Sequence, residues 1–299
     1  MALISKRLQS ELEYIIVQIV SCIVQRLPWK TVQNLGRGVG CFLYRFIPIR
    51  KNVVIDNLSQ AFPEKSDDQI RSIAKSTFEN FGQILFEFIK LPACDQKDIL
   101  NVSSFVNEPL MSECHSQGKG TVCISGHFGN WELMAAAIAA KGFPMEAIAR
   151  EQRNIKIDRL IQKHRESVRV KTILLGMALR GVIRALKRNH FVAMLTDQDA
   201  HDEGVFVDFL GLPSSTAPGP ANFALKSGAP LLFGAAIREN NGHHKIILEL
   251  IPFDDLDPND PLSVKVLTQR HAKVLEKYVR LYPDHWFWMH KRWKTKPKQ

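Results

Sequence analysis

The chain is poor in acidic residues, poor in cysteine, and has no apolar run of bilayer length. Its 299 residues carry 30 Asp and Glu against 40 Lys and Arg, a formal net charge of +10. The acid deficit suits an anionic partner: nucleic acid, an acidic membrane surface, an acidic protein or a phosphorylated substrate. Cysteine is limited to Cys22, Cys41, Cys94, Cys114 and Cys123, an odd number with no CxxC pair. This argues against a disulfide framework and for reduced thiols on the cytosolic side of a cell. Internal repeats, low-complexity tracts and a Pro/Gly linker long enough to separate a pair of domains are also missing.

The most apolar stretch, "LEYIIVQIVSCIVQRLP" (12–28), leaves only twelve residues between Glu13 and Arg26, whereas a span needs about twenty. Gln18, Ser21, Cys22 and Gln25 follow i, i+3, i+4, i+7 spacing, so one face of this helix is more polar. The pattern predicts a helix lying in a membrane interface or docked on the protein, with a short or tilted span as the alternative. No small-residue cleavage site follows it, which argues against a signal peptide.

What is present is a change of rhythm. The first ninety residues read as helices, including 31–47, 50–63 and a long one from 67 with Ser66 or Asp67 as its cap. From 120 onward, short β-rich runs at 120–125, 145–150, 171–175, 190–197, 229–238 and 243–251 alternate with helical segments. That alternation predicts an α/β fold, a mostly parallel sheet flanked by helices. Residues 1–49 are expected to form a helical, membrane-associated N-terminal segment and 50–299 one α/β domain. Residues 204–220 read as a Gly/Pro-rich loop bordering the site.

The chemistry centres on "CISGHFGNWELM" (123–134). A strand ends at Gly126-His127, and Asn130 is a good N-cap for the next helix. Ligands in parallel α/β sheets bind in the crevice at the carboxyl ends of the strands, where His127 would stand. With His127 in the turn and Glu132 in the first helical turn, the two side chains can approach. A carboxylate beside an imidazole fixes its tautomer and stabilises the imidazolium. The plain alternative is that Glu132 only favours the helix dipole and His127 is structural.

"SGHFGNWE" (125–132) carries an HxxxxE motif. It resembles the Hxxxx(D/E) motif of the glycerolipid and lipid A acyltransferase superfamily. Around it, "NLSQAFPEKSDDQIRSIAKSTFENFG" (57–82), "AREQRN" (149–154), the block at 195–233 and "YPDHWFWMHKRWKTKP" (282–297) come in the order of the bacterial lipid A biosynthesis (lauroyl/myristoyl) acyltransferase family. The resemblance implies an acyl carrier protein thioester as donor and a glycolipid hydroxyl, on a lipid A precursor, as acceptor. It implies a site at the cytoplasmic face of a bacterial inner membrane, with no metal and no cofactor. His127 would be the general base with Glu132 beside it, and amides at Gly129-Asn130 are candidates to hold the oxyanion. Arg150, Arg153, Asn154, Asp197 and Gln198 would bind the substrate. Acceptors of another kind, such as a phosphatidylinositol mannoside or a lysophospholipid, remain open on the same motifs, as do a thioesterase and a non-catalytic basic adaptor.

Two further stretches need a reading. Asp197, Asp199 and His201 fit the first positions of a calcium loop, but Asp202 stands where that loop needs glycine. The ending mixes Trp286, Trp288 and Trp293 with Lys291, Arg292, Lys294, Lys296 and Lys298, which suits an anionic membrane interface or an acidic carrier protein. No RRM, KH or helix-turn-helix signature supports nucleic acid, and none is expected as a partner.

Overall fold

The computed structural model describes residues 2–297, and side chains from residue 8 onward, so Lys298 lies outside the described residues. Four helices open the chain: α1 (Ala2–Val24), α2 (Trp29–Phe46), α3 (Lys51–Ala61) and α4 (Asp67–Lys90). α4 starts at a capping box in which the Ser66 hydroxyl accepts from the Gln69 amide while the Gln69 side chain accepts from the Ser66 amide. Then come α5 (Gln96–Asn101), β1 (Ser103–Val106), α6 (Pro109–Ser116), β2 (Thr121–Ser125), α7 (Trp131–Ala140), β3 (Met145–Ala149), α8 (Ile155–Ser167) and β4 (Val170–Leu174). The rest is α9 (Ala178–Lys187), β5 (Phe191–Leu195), β6 (Val205–Phe209), β7 (Leu212–Thr216), α10 (Gly219–Ser227), β8 (Leu231–Arg238), β9 (His244–Ile251) and α11 (Pro261–Leu281).

The seven-stranded sheet runs β1-β9-β8-β2-β5-β3-β4, with only the β8–β9 pair antiparallel. β2 is buried at every position, as a central parallel strand covered on both faces must be. α7 covers one face with Leu133, Ala136, Ala137 and Ile138. α9, α10 and α11 cover the other, with Val182, Leu186, Ala221, Ala224 and Leu275. Because β2, β5, β3 and β4 are parallel, their carboxyl ends share one rim, and His127 follows the end of β2 there.

One expectation is overturned. Residues 205–216, expected within a loop, form the antiparallel hairpin β6–β7, paired from Val205↔Thr216 to Phe209↔Leu212. Its two-residue turn places both Leu210 (φ 58°) and Gly211 (φ 78°) in the left-handed region, as a tight hairpin matching strand twist requires.

No described helix is long and apolar enough to cross a membrane. The sidedness of α1 is nevertheless unusual. Ser21 and Val24 are buried against the protein and Gln25 donates to the Ile89 carbonyl, while Leu8, Leu12, Ile15, Ile16, Ile19 and Ile23 are exposed. α2 repeats this: Val32, Gln33, Gly36 and Gly40 face inward, and Leu35, Val39, Phe42 and Phe46 face out.

Candidate active site

The pairing of β2 with β5 builds the centre of the site. Its register sets Ser125 opposite Leu195, and the Thr196 amide donates to the Ser125 carbonyl just beyond. Two residues further along each strand, His127 meets Asp197. Imidazole Nδ1 lies 2.8 Å from Asp197 Oδ1, and the His127 backbone N–H donates to Oδ2, also at 2.8 Å. Trp286 Nε1 gives Oδ2 a second donor at 2.8 Å. Nε2 has no protein partner among the described residues. The carboxylate fixes the proton on Nδ1 and leaves the Nε2 lone pair available. Burial by itself opposes the imidazolium, but the charge and hydrogen bond of Asp197 outweigh it and raise the His127 pKa above its ordinary value. Burial likewise opposes the Asp197 carboxylate, and His127 and Trp286 outweigh it and lower that pKa.

The turn holding His127 is fixed on both sides. Gly129 has φ 54°, and a Cβ there would sit 1.5 Å from the Ala236 carbonyl oxygen, so glycine is obligatory. The Gly129 amide donates to the His285 carbonyl and the His127 carbonyl accepts from the Phe287 amide. The C-terminal segment thus returns across the fold to clamp the histidine loop. The Gly129 amide, expected as an oxyanion donor, is spent on this clamp.

Glu132 lies at the start of α7, capped by the Asn130 side chain accepting from the Leu133 amide. Its carboxylate is not the one on His127. It forms a two-point pair with Arg165 of α8, Nε–Oε2 3.0 Å and Nη2–Oε1 2.6 Å, and also accepts from Trp131 Nε1. The Trp131 ring stands edge-on to the His127 imidazole with centroids 5.0 Å apart. Trp131, Glu132 and Arg165 also line a narrow pocket that continues between α7 and the sheet to Met134, Ile138, Met145, Leu232 and Leu248. The pocket wall is mostly apolar, with Ser125 as a polar lining residue and charge only at Glu132 and Arg165.

The remaining candidates divide. Arg150 and Arg153 are exposed at the carboxyl end of β3, on the rim shared with His127. Asn154 is engaged within the fold: its side-chain oxygen caps α8, and its side-chain amide donates to the Ser10 carbonyl and to Glu13 on α1. Asp197, expected to bind substrate, is turned onto His127. Gln198 next to it is exposed, and its carbonyl accepts from buried Arg292. Trp286, Trp288 and Trp293, expected at a membrane interface, are buried in the core, where Trp286 packs on Phe209 and Trp288 on Phe62. An indole packs with its full area against apolar neighbours if its N–H finds an acceptor, as those of Trp286 and Trp288 do on Asp197 and the Pro283 carbonyl. Arg165 and Trp286 were not anticipated in these roles. The first had no local signal, and the second stood in a motif read as surface.

The sequence pattern of the bacterial lipid A biosynthesis acyltransferase family matches residues 4–295. The lipid A biosynthesis lauroyltransferase of Escherichia coli (strain K12) is 28% identical over 279 residues, 92% of this chain and 89% of the relative. The lipid A biosynthesis palmitoleoyltransferase of the same organism is 24% identical over 280 residues, 91% of this chain and 88% of the relative. A phosphatidylinositol mannoside acyltransferase of Mycolicibacterium smegmatis is 22% identical over 241 residues, 79% of this chain and 77% of the relative. With the match running almost end to end, the chain belongs to the bacterial lipid A biosynthesis acyltransferase family, and by that membership is an acyltransferase.

Proposed function

We propose that this enzyme moves a fatty acyl chain from an acyl carrier protein thioester to a hydroxyl of a lipid A precursor, with His127 as general base. The observation that carries the reading is the Nδ1–Asp197 contact of 2.8 Å, which leaves Nε2 unpartnered on a ring that packs against Trp131, a wall residue of a largely apolar pocket. Nε2 takes the hydroxyl proton as the oxygen attacks the thioester carbonyl. The tetrahedral intermediate collapses, the carbon–sulfur bond breaks, and the departing thiolate takes the proton from the imidazolium. Asp197 stabilises that imidazolium, the role that the motif alone gives to Glu132. Glu132 instead holds Arg165 in the pocket wall, where guanidinium N–H groups offer positive donors to the developing oxyanion. Arg150 and Arg153, exposed on the same rim, suit the acceptor's phosphate or sugar.

The net charge of +10 favours an acidic carrier protein as donor. The outward apolar stripes of α1 and α2 favour seating on the cytoplasmic face of a bacterial inner membrane. Purified enzyme, acyl carrier protein thioesters and candidate acceptors, with products read by mass spectrometry, test the reading. Transfer to a lipid A precursor supports it. Transfer only to a mannoside acceptor, which the mycobacterial relative's name keeps as the second reading, replaces the acceptor. Release of free fatty acid alone overturns acyl transfer.

The pocket carries its own expected result. Ala147 and Ala193 are lining residues on β3 and β5. Ala193→Leu shortens the space for the chain, and each buried methylene is worth about 0.8 kcal/mol. Preference should move by about tenfold toward donors two carbons shorter. An unchanged product profile from a folded variant would separate this pocket from the acyl chain.

A further inference from the structure

The buried tryptophans leave α1 and α2 without the second membrane contact expected from the C-terminal ending. Another segment has the required chemistry. After β4 the chain makes a short turn, Leu175–Met177, and enters α9. Val182, Ala185 and Leu186 bury the inner face of α9 against the sheet. At Gly181 a Cβ would come within 2.5 Å of the Ile173 side chain, so the helix lies close on β4. Its outer side is therefore held in place, and it is apolar. Leu175, Met177, Leu179 and Ile183 are all exposed, Met177 by 63% and Leu179 by 66%.

The acidic and basic residues of this segment have one sign. Residues 171–190 contain no Asp or Glu, but do contain Lys171, Arg180, Arg184, Lys187 and Arg188. None of these five makes an ion pair among the described residues. The turn lies at the carboxyl end of β4, on the rim shared with His127, Arg150 and Arg153, and exposed Ile155 opens α8 on the same rim. α1 reaches that rim through Asn154. Apolar side chains flanked by unpaired guanidinium groups match a bilayer interface, with the first in the acyl boundary and the second at lipid phosphates.

We infer that Leu175–Met177 and the outer side of α9 form a second membrane-docking element for anionic phospholipid, in addition to α1 and α2, so that the site opens toward the bilayer. The inference rests on the membrane reading of α1 and α2 but not on the identity of the reaction. It also gives the acceptor a route, since a lipid can meet His127 with its chains still in the membrane.

Vesicle flotation of the full chain tests it, using phosphatidylethanolamine vesicles with and without phosphatidylglycerol. Leu175→Asp/Met177→Asp/Leu179→Asp should weaken binding at least tenfold, with an unchanged melting temperature because all three side chains are exposed. Arg180→Gln/Arg184→Gln should remove much of the preference for phosphatidylglycerol, about fivefold per charge. A fluorophore on Met177→Cys, in a Cys22→Ser/Cys41→Ser/Cys94→Ser background, should shift to the blue on vesicle addition. Acyl transfer to detergent-dispersed acceptor should stay at the wild-type rate in the triple variant. Wild-type flotation by the triple variant, or a fluorophore indifferent to vesicles, would overturn the inference. So would binding of this face to duplex oligonucleotide but not to lipid. If wild-type enzyme shows no acyl transfer at all, the proposed reaction fails, while flotation and fluorescence still decide the surface.

Discussion

Replacing His127 by alanine is expected to lower kcat by about 10²–10⁴-fold, the range a positioned general base supplies, while the fold survives. Asp197 would keep the backbone N–H at residue 127 and Trp286 Nε1 as donors, so the buried carboxylate is not left bare. Losing one hydrogen bond costs about 1–3 kcal/mol, a fall of a few degrees in melting temperature. Asp197→Asn separates positioning from chemistry. The base works as neutral imidazole, so activity rises with pH through the His127 pKa. That pKa is raised because Asp197 favours the charged form. Removing the charge should therefore move the acid limb of the rate profile to lower pH and also lower the plateau, because the imidazolium formed in the reaction loses its counter-charge. Rates measured from pH 5 to 9 on both variants check this. A fully active, folded His127→Ala enzyme would remove His127 from the mechanism. An Asp197→Asn enzyme with an unmoved acid limb would mean that the limb belongs to another group.

That the carboxylate on His127 is Asp197 was only half legible in the sequence. Asp197 is recognisable as a strand-end residue, but its aim depends on β2 pairing with β5 in a register that aligns Ser125 with Leu195, seventy residues apart. No local pattern encodes that register. HxxxxE is contiguous and therefore visible, and it drew the pairing with His127 to Glu132. Arg165, which occupies Glu132, sits on an ordinary charged helix and gives no signal until α8 is placed against α7. The strand runs at 121–125, 191–195 and 231–238 were readable because central strands covered on both faces need apolar residues on both. The hairpin at 205–216 was hidden for the opposite reason. Its turn uses Leu210 at positive φ, where Asn, Asp or Gly is the usual signal. Gly204, Pro213 and Pro218 nearby then read as loop.

Glu87→Ala is expected to be the most destabilising single change, by about 3–5 kcal/mol. Glu87 is fully buried on α4, and its carboxylate gathers the fold's separate layers. It accepts from Gln33 of α2, from Asn130 at the start of α7, from His244 of β9, and twice from Arg238 of β8. Arg238 is itself nearly buried and also bonds Asn80. Removing the carboxylate leaves that guanidinium without a counter-charge in the interior, which costs more than the lost contacts. For a chain of this size the melting temperature should fall by about 10 °C. Burial opposes the charged carboxylate, but Arg238 and His244 outweigh it and hold the Glu87 pKa far below the ordinary carboxylate value. A depressed pKa adds stability above the unfolded-state value of about 4.3, and that stability is lost as pH falls toward the folded-state value. Wild-type melting temperature should therefore drop between pH 5 and pH 3 more steeply than that of Glu87→Gln. The same residue connects to the proposed site, because the Asn130 side chain it holds is the cap that starts α7, which carries Glu132 and its partner Arg165 in the pocket wall. Glu87→Gln, which retains an acceptor oxygen, should recover more turnover than Glu87→Ala. Calorimetry on both variants and on Glu87→Met/Arg238→Met separates the terms. If the buried charge is the cause, the double variant melts higher than Glu87→Ala; if the lost contacts are the cause, it melts lower.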